Sequence, residues 1–164
     1  MREYGDYIRE TKRLLQNYKK MKVAVTNLTE EIEAMERLLA DEGIASVRYG
    51  DDCAGGWGEL TSTEAAAARR IRLEERIADM RMRRDEMERT MRAIDRAFES
   101  LSDEDVALLQ VRYMRGLSWA ETAEELNYTE KWAKEKGGKV LRDVALMVFG
   151  VMVRPAQGKI VFCD

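Results

Sequence analysis

The 164-residue chain contains no histidine and a single proline. Lack of histidine removes the commonest general base near neutral pH and the commonest metal ligand. No catalytic residue, metal site or cofactor is therefore expected. Cysteine is scarce too: Cys53 and Cys163 lie far apart and form no CxxC pair, which fits a reduced cytosolic compartment rather than a disulfide framework. Long apolar runs are missing. The longest, Val144 to Val153, is about half of what a bilayer span requires, and Met1-Arg-Glu-Tyr4 is charged from the outset, unlike a secretory signal. A cytoplasmic protein with no membrane partner is expected. Positive charge is not in excess either, because the formal net charge is −3. Any nucleic-acid surface must then be local.

What the chain has in abundance is charge, 36% of residues, set on a regular apolar frame. Tyr4, Tyr7, Thr11, Leu14, Tyr18, Met21, Val25, Leu28, Ile32, Met35 and Leu39 alternate by three and four. Such a repeat keeps one stripe of a helix against a partner helix, as in a coiled coil. A second series runs Leu73, Ile77, Met80, Arg84, Met87, Met91, Ile94, Phe98 and Leu101. Thr61-Ser-Thr-Glu64 before it reads as a capping box. Five glycines between Gly43 and Leu60 disfavour helix and suggest a chain reversal. Gly55-Gly56-Trp57-Gly58 lacks the lysine of a phosphate loop and follows a helix rather than a strand. The expectation is an antiparallel helical hairpin over 1–100 with a glycine-rich tip at 43–61.

Charge is unevenly placed along these helices. Arg9 to Lys22 holds six basic residues against Glu10, and Thr29 to Glu42 holds six acids against Arg37. Arg81 to Arg96 leans basic, with six arginines and four acids. Two readings stand: a solvated face with weak ion pairs, or a basic end that extends a DNA footprint.

From Leu101 the pattern becomes three short helices. Leu101-Ser-Asp-Glu-Asp105 supplies a staple residue, an N-cap serine and an acidic first turn. Val106, Leu109 and Tyr113 face inward, and Gly116 suits a left-handed C-terminal cap. Leu117-Ser-Trp-Ala-Glu121 repeats the start signal, with Ala123 and Leu126 inward, and Asn127 is placed for positive φ. Thr129 then caps a third helix that buries Ala133, Val140, Leu141 and Val144 and carries Lys131, Lys134, Lys136, Lys139 and Arg142 against Glu130 and Glu135. This is the layout of a helix-turn-helix over 101–148, although such bundles also serve in protein contacts.

Residues 101–144, LSDEDVALLQVRYMRGLSWAETAEELNYTEKWAKEKGGKVLRDV, resemble region 4 of bacterial sigma factors. The resemblance rests on Leu101, Leu109, Arg112-Tyr113, Gly116-Leu117-Ser118, Ala123, Leu126, Asn127 and Val140-Leu141. RYMRGLSWAETAEEL with Gly138-Lys139-Val140-Leu141 is closer still to the phage-encoded regulators of the ArpU/RinA type, in which a helical hairpin precedes the module. The resemblance implies a late-gene transcriptional activator with base-facing residues at Thr129, Glu130, Lys131, Lys134 and Glu135. Lysine can reach guanine O6/N7, and glutamate can accept from cytosine N4. Arg115, Lys136, Lys139 and Arg142 are candidates for DNA phosphate contact, and Trp132 for either core or base contact. Two departures stand out. Thr122 replaces a usual isoleucine, and Gly137-Gly138 inside the third helix should cost about 2 kcal/mol of helix propensity. Nothing resembles a promoter-melting region, so an independent sigma role is not expected.

Residues 149–164 read as two short strands around a Pro/Gly turn, a β-hairpin-like tail. Such a hairpin is marginal alone and is expected to pack on the body or to pair across a homodimer, self-association being the preferred reading. The fold expectation is all-α apart from this tail. Double-stranded DNA is the expected partner, with RNA polymerase a further one. Two alternatives are a small terminase-like DNA-packaging subunit, separable by ring assembly, and an interaction protein that docks on RNA polymerase.

Overall fold

The computed structural model describes residues 4–49 and 57–150, with side chains at 5–41 and 64–150. Among these residues every regular element is helical and there is no strand. Helix α1 spans Tyr4–Tyr49 and α2 spans Trp57–Glu99. They are followed by α3 (Asp103–Leu109), a five-residue π-helical turn (Gln110–Met114), α4 (Trp119–Glu125) and α5 (Glu130–Phe149).

Three boundaries differ from the expectation. Helix α1 runs through Gly43 to Tyr49, and α2 begins at Trp57, ahead of the capping-box motif at Thr61–Glu64. A lone glycine costs about 1 kcal/mol inside a helix, which an already nucleated helix can absorb without ending. At the other end, Phe149 closes α5 instead of opening a strand, because its ring packs on Tyr7 at a centroid separation of 5.3 Å. The remainder of the expected tail and both cysteines lie outside the described residues.

Packing divides the chain into two units: residues up to Lys22 with those from Arg89 onward, and Val23–Glu88. In the first, Leu15 of α1 and Ile94 and Ala97 of α2 share one core with Leu109, Tyr113, Val140, Leu141 and Val144. Each fully buried Leu, Ile or Val contributes about 1.5–3 kcal/mol, so this cluster is the main stabilising term for α3–α5. Leu15 is completely buried, whereas the seam residues Leu14 and Tyr18 are only partly so. Here α1 packs on more than one partner, and its buried stripe is wider than a two-helix seam. Thr11 is buried as well; its hydroxyl donates to the Tyr7 carbonyl at 2.8 Å, which satisfies the polar atom within the helix.

The second unit has a narrower core. Ile32, Ile77 and Met80 are buried, flanked by partly buried Leu28, Met35, Leu39 and Leu73. Exposed ion pairs join the two helices, Arg76–Glu31 at 3.2 Å and Arg81–Glu36 at 2.5 Å. Pairs of this kind are worth about 0–1 kcal/mol each. Arg84, the charged member of the seam series, is half-buried and turns to Asp85 (2.8 Å) and Glu88 (3.9 Å) on its own helix.

Candidate nucleic-acid interface

Each short helix starts where the sequence signals it. Ser102 Oγ accepts from the Asp105 amide (3.3 Å), and Thr129 Oγ1 from the Trp132 amide (3.3 Å). At α4 the box is complete: Ser118 Oγ accepts from the Glu121 amide (3.3 Å), and Glu121 Oε2 accepts from the Ser118 amide (2.7 Å). Hydrogen bonding to its carboxylate from the Ser118 hydroxyl, and then from the Ser118 amide, holds Glu121 below its ordinary range. The turns are shaped by Gly116, at φ +81°, and Asn127, at φ +58°. Both lie in the left-handed region that glycine and asparagine tolerate best.

A cluster of aromatic and basic side chains locks the first turn. The Arg115 amide bonds the Gln110 carbonyl at 2.9 Å, closing the π-helical turn. From within it, Arg112 Nη1 donates to the Leu117 carbonyl at 2.7 Å. The Arg112 guanidinium lies 4.9 Å from the Trp119 ring centre and 5.4 Å from that of Tyr113, a cation–π arrangement. Tyr113 meets Trp119 edge-on at 6.1 Å. The Arg-Tyr and Gly-Leu-Ser-Trp elements quoted above are therefore parts of one packed joint. Trp119 in turn fits the notch left by Gly137: a Cβ there would lie 2.5 Å from its Cη2 and 2.8 Å from its Cζ3. Gly137 serves close packing of helix on side chain, and α5 passes through both glycines without a break. Thr122, standing where isoleucine is usual, is fully buried with its hydroxyl donating to the Ser118 carbonyl at 2.7 Å.

The expected contact residues fall into two groups. Lys131, Lys134, Glu135, Lys139 and Arg142 are all exposed on α5. At 100° per residue they lie, with Gly138, within an arc of about 140° opposite the buried Ala133, Gly137 and Val140. Gly138 sits in the middle of that arc, with no atom within 4 Å of where its Cβ would be. Glu130 pairs with Lys134 at 2.5 Å, and the Thr129 hydroxyl is committed to the cap. The other residues are turned elsewhere. Lys136 lies off the arc, with Nζ 2.9 Å from Asp105 Oδ1 of α3; this contact holds its ammonium above the ordinary range. Arg115 is paired with Glu125 at the end of α4.

Two features beside the arc escaped the sequence reading. Tyr128 stacks on Trp132 at 3.9 Å and 25°, and its hydroxyl donates to Glu104 of α3. That bond raises the Tyr128 phenol above its ordinary value. Trp132 also packs beside the buried Leu108, Ala123 and Ala133, so the core role and a place at the rim of the arc coexist. Asp105 and Glu104 read as dipole-stabilising acids in sequence; both also tie α3 to the last turn and helix. Among the described residues no group of three or more acidic, cysteine or histidine side chains is placed to hold a metal, and no helix is long and apolar enough to cross a membrane.

Residues 65–143 match the family model of the ECF sigma factor. The match begins within α2, well before Leu101, and covers α3 to α5 as far as Asp143. It spans just under half of the chain. Over these residues the protein is similar to a sigma-factor-like family, a regulatory, DNA-binding and non-enzymatic class. Among curated proteins and solved structures no match is found.

Proposed function

We propose that the protein is a sequence-specific, duplex-DNA-binding transcriptional regulator of the ArpU/RinA type, acting on phage or prophage late genes. Its α3–α5 segment works as a helix-turn-helix with α5 as the reading helix. The observation that carries this reading is the solvent arc of α5. It combines an N-cap at Thr129, four cationic side chains, and a glycine at its centre where backbone can approach a groove closely. Lys131, Lys134 and Glu135 near the start of α5 are suited to base edges. Lys139 and Arg142, with no acidic partner among the described residues, are suited to phosphate.

The two long helices serve as an antiparallel hairpin. As such a regulator the protein acts in the cytoplasm as a homodimer and engages RNA polymerase.

Titration of duplex binding against salt tests the reading. The slope of log K against log salt should fall by about 0.9 for each of Lys139→Ala and Arg142→Ala. Lys131→Ala and Lys134→Ala should instead relax base preference, by about 1–3 kcal/mol at the affected position. Tight binding that is insensitive to salt would sink it.

A further inference from the structure

The solvent arc of α5 does not end at Arg142. Continuing the same three-and-four spacing, the next positions are Ala145 and Phe149. Both are covered by α1: Ala145 is fully buried in a cluster with Tyr7, and Ile8 and the Phe149 ring pack there too. The surface that carries the cations of α5 therefore runs directly into the first turns of α1.

Around α1, the buried Tyr7, Thr11 and Leu15 and the part-buried Tyr18, which bonds Asp95 of α2, lie within an arc of about 80°. Ile8, packed against the cluster of Tyr7 and Ala145, marks one edge of that stripe. At 100° per residue, Lys12 and Lys19 fall within about 40° of Ile8, one and three turns further along. Both are exposed, and neither is paired with an acid among the described residues. By contrast, Arg9 and Arg13 are paired with Asp6 and Glu10 on their own helix. Lys20 is exposed but sits about 100° around the helix from Lys19.

From this placement we infer that Lys12 and Lys19 form a second phosphate-binding surface, which takes the sugar-phosphate backbone of duplex DNA flanking the segment read by α5. The inference rests on the proposed DNA-binding role. It assigns a function to part of the basic half of α1 that a merely solvated face would not have. The surface is sequence-independent, because two ammonium groups on flexible stems recognise charge rather than base edges. It adds to affinity and to salt dependence while leaving base preference untouched.

The test uses the full chain and a random-sequence duplex, with binding measured across a salt series. Lys12→Gln/Lys19→Gln should lower the log–log slope by about 1.8, two released counterions at about 0.9 each. Lys12→Arg/Lys19→Arg should keep the slope. Lys20→Gln should leave it unchanged, since its loss alters net charge but not this surface. A loss from Lys20→Gln equal to that from either single Lys12→Gln or Lys19→Gln would overturn the inference in favour of diffuse electrostatics. An unchanged slope in Lys12→Gln/Lys19→Gln, with a reduced one in Lys139→Ala/Arg142→Ala, would overturn it and leave the role of α5 standing. Loss of salt dependence in the unmodified chain would remove both. Circular dichroism melts of each variant separate these outcomes from misfolding, and the exposure of both lysines predicts unchanged melting.

Discussion

Gly138→Ala should stabilise the protein and Gly137→Ala should not, although the two residues are adjacent on one helix. Each substitution gains about 1 kcal/mol of helix propensity. At Gly138 nothing opposes that gain, because no atom lies within 4 Å of the new methyl group. At Gly137 the methyl would come within 2.5 Å and 2.8 Å of two Trp119 ring carbons, with Leu108 at 3.7 Å. The indole has little room to withdraw, since Tyr113 lies edge-on to it and Arg112 lies over its face. Overpacking of this kind costs about 1–3 kcal/mol. Gly138→Ala should therefore raise the melting temperature, and Gly137→Ala should lower it or at best leave it unchanged. The gap of about 1–3 kcal/mol corresponds to about 2–4 °C per kcal/mol in a chain of this size, read by circular dichroism. Trp119→Phe removes the far end of the ring, so Gly137→Ala should be less harmful in that background, a non-additivity that a double-mutant cycle measures. Equal melting temperatures for the two alanine variants, or strict additivity with Trp119→Phe, would refute the notch.

The remaining expectations concern caps, buried polar groups and one ion pair. Ser118→Ala removes the acceptor for the Glu121 amide and should cost about 1 kcal/mol in denaturant titration. Because hydrogen bonds from Ser118 lower the folded-state value of Glu121 below 4.5, its contribution is present above the unfolded value and is lost as pH falls through the folded one. Glu121→Gln should flatten that part of the acid limb of a melting-temperature profile. Tyr18 behaves with the opposite sign. Burial, then the bond to Asp95, pushes its phenol from 10.0 up to about 12, so its contribution is held below pH 10 and lost as pH rises towards 12. Ultraviolet titration should show a late phenolate step that Tyr18→Phe abolishes. Lys136→Ala breaks the tie to Asp105 on α3 and should lower stability slightly without changing the salt slope of DNA binding; a reduced slope would return Lys136 to the phosphate-contacting set.

The local grammar of the C-terminal half was legible because each signal there acts within four residues. Ser102, Ser118 and Thr129 cap the helices they were expected to cap, and Gly116 and Asn127 take the positive φ their positions demanded. Arg112, Trp119 and Gly137 were visible only as motif letters. Their meaning lies in a joint between segments that no periodicity encodes. The π-helical turn was equally hidden, since one lengthened hydrogen-bonded ring leaves the three-and-four spacing of Leu109 and Tyr113 intact while also burying Val111.

The largest gap concerns what each apolar stripe packs against. A heptad series reports that a face is buried and says nothing about how many neighbours bury it. Tyr7-Ile8 and Leu14-Leu15 are apolar doublets, which widen a stripe beyond a two-helix seam; that widening marks the part of α1 that shares a core with α5. Yet the same signal misleads elsewhere. Leu38-Leu39 is also a doublet, and there Leu38 remains 59% exposed, because the core of the second unit draws only on α1 and α2. The doublets become interpretable only beside the acceptor surface, Ala145 and Phe149, which continues the face of α5 past Arg142. Reading α1 and α5 together is thus what turns the basic half of α1 from a composition bias into a candidate extension of the DNA-binding surface.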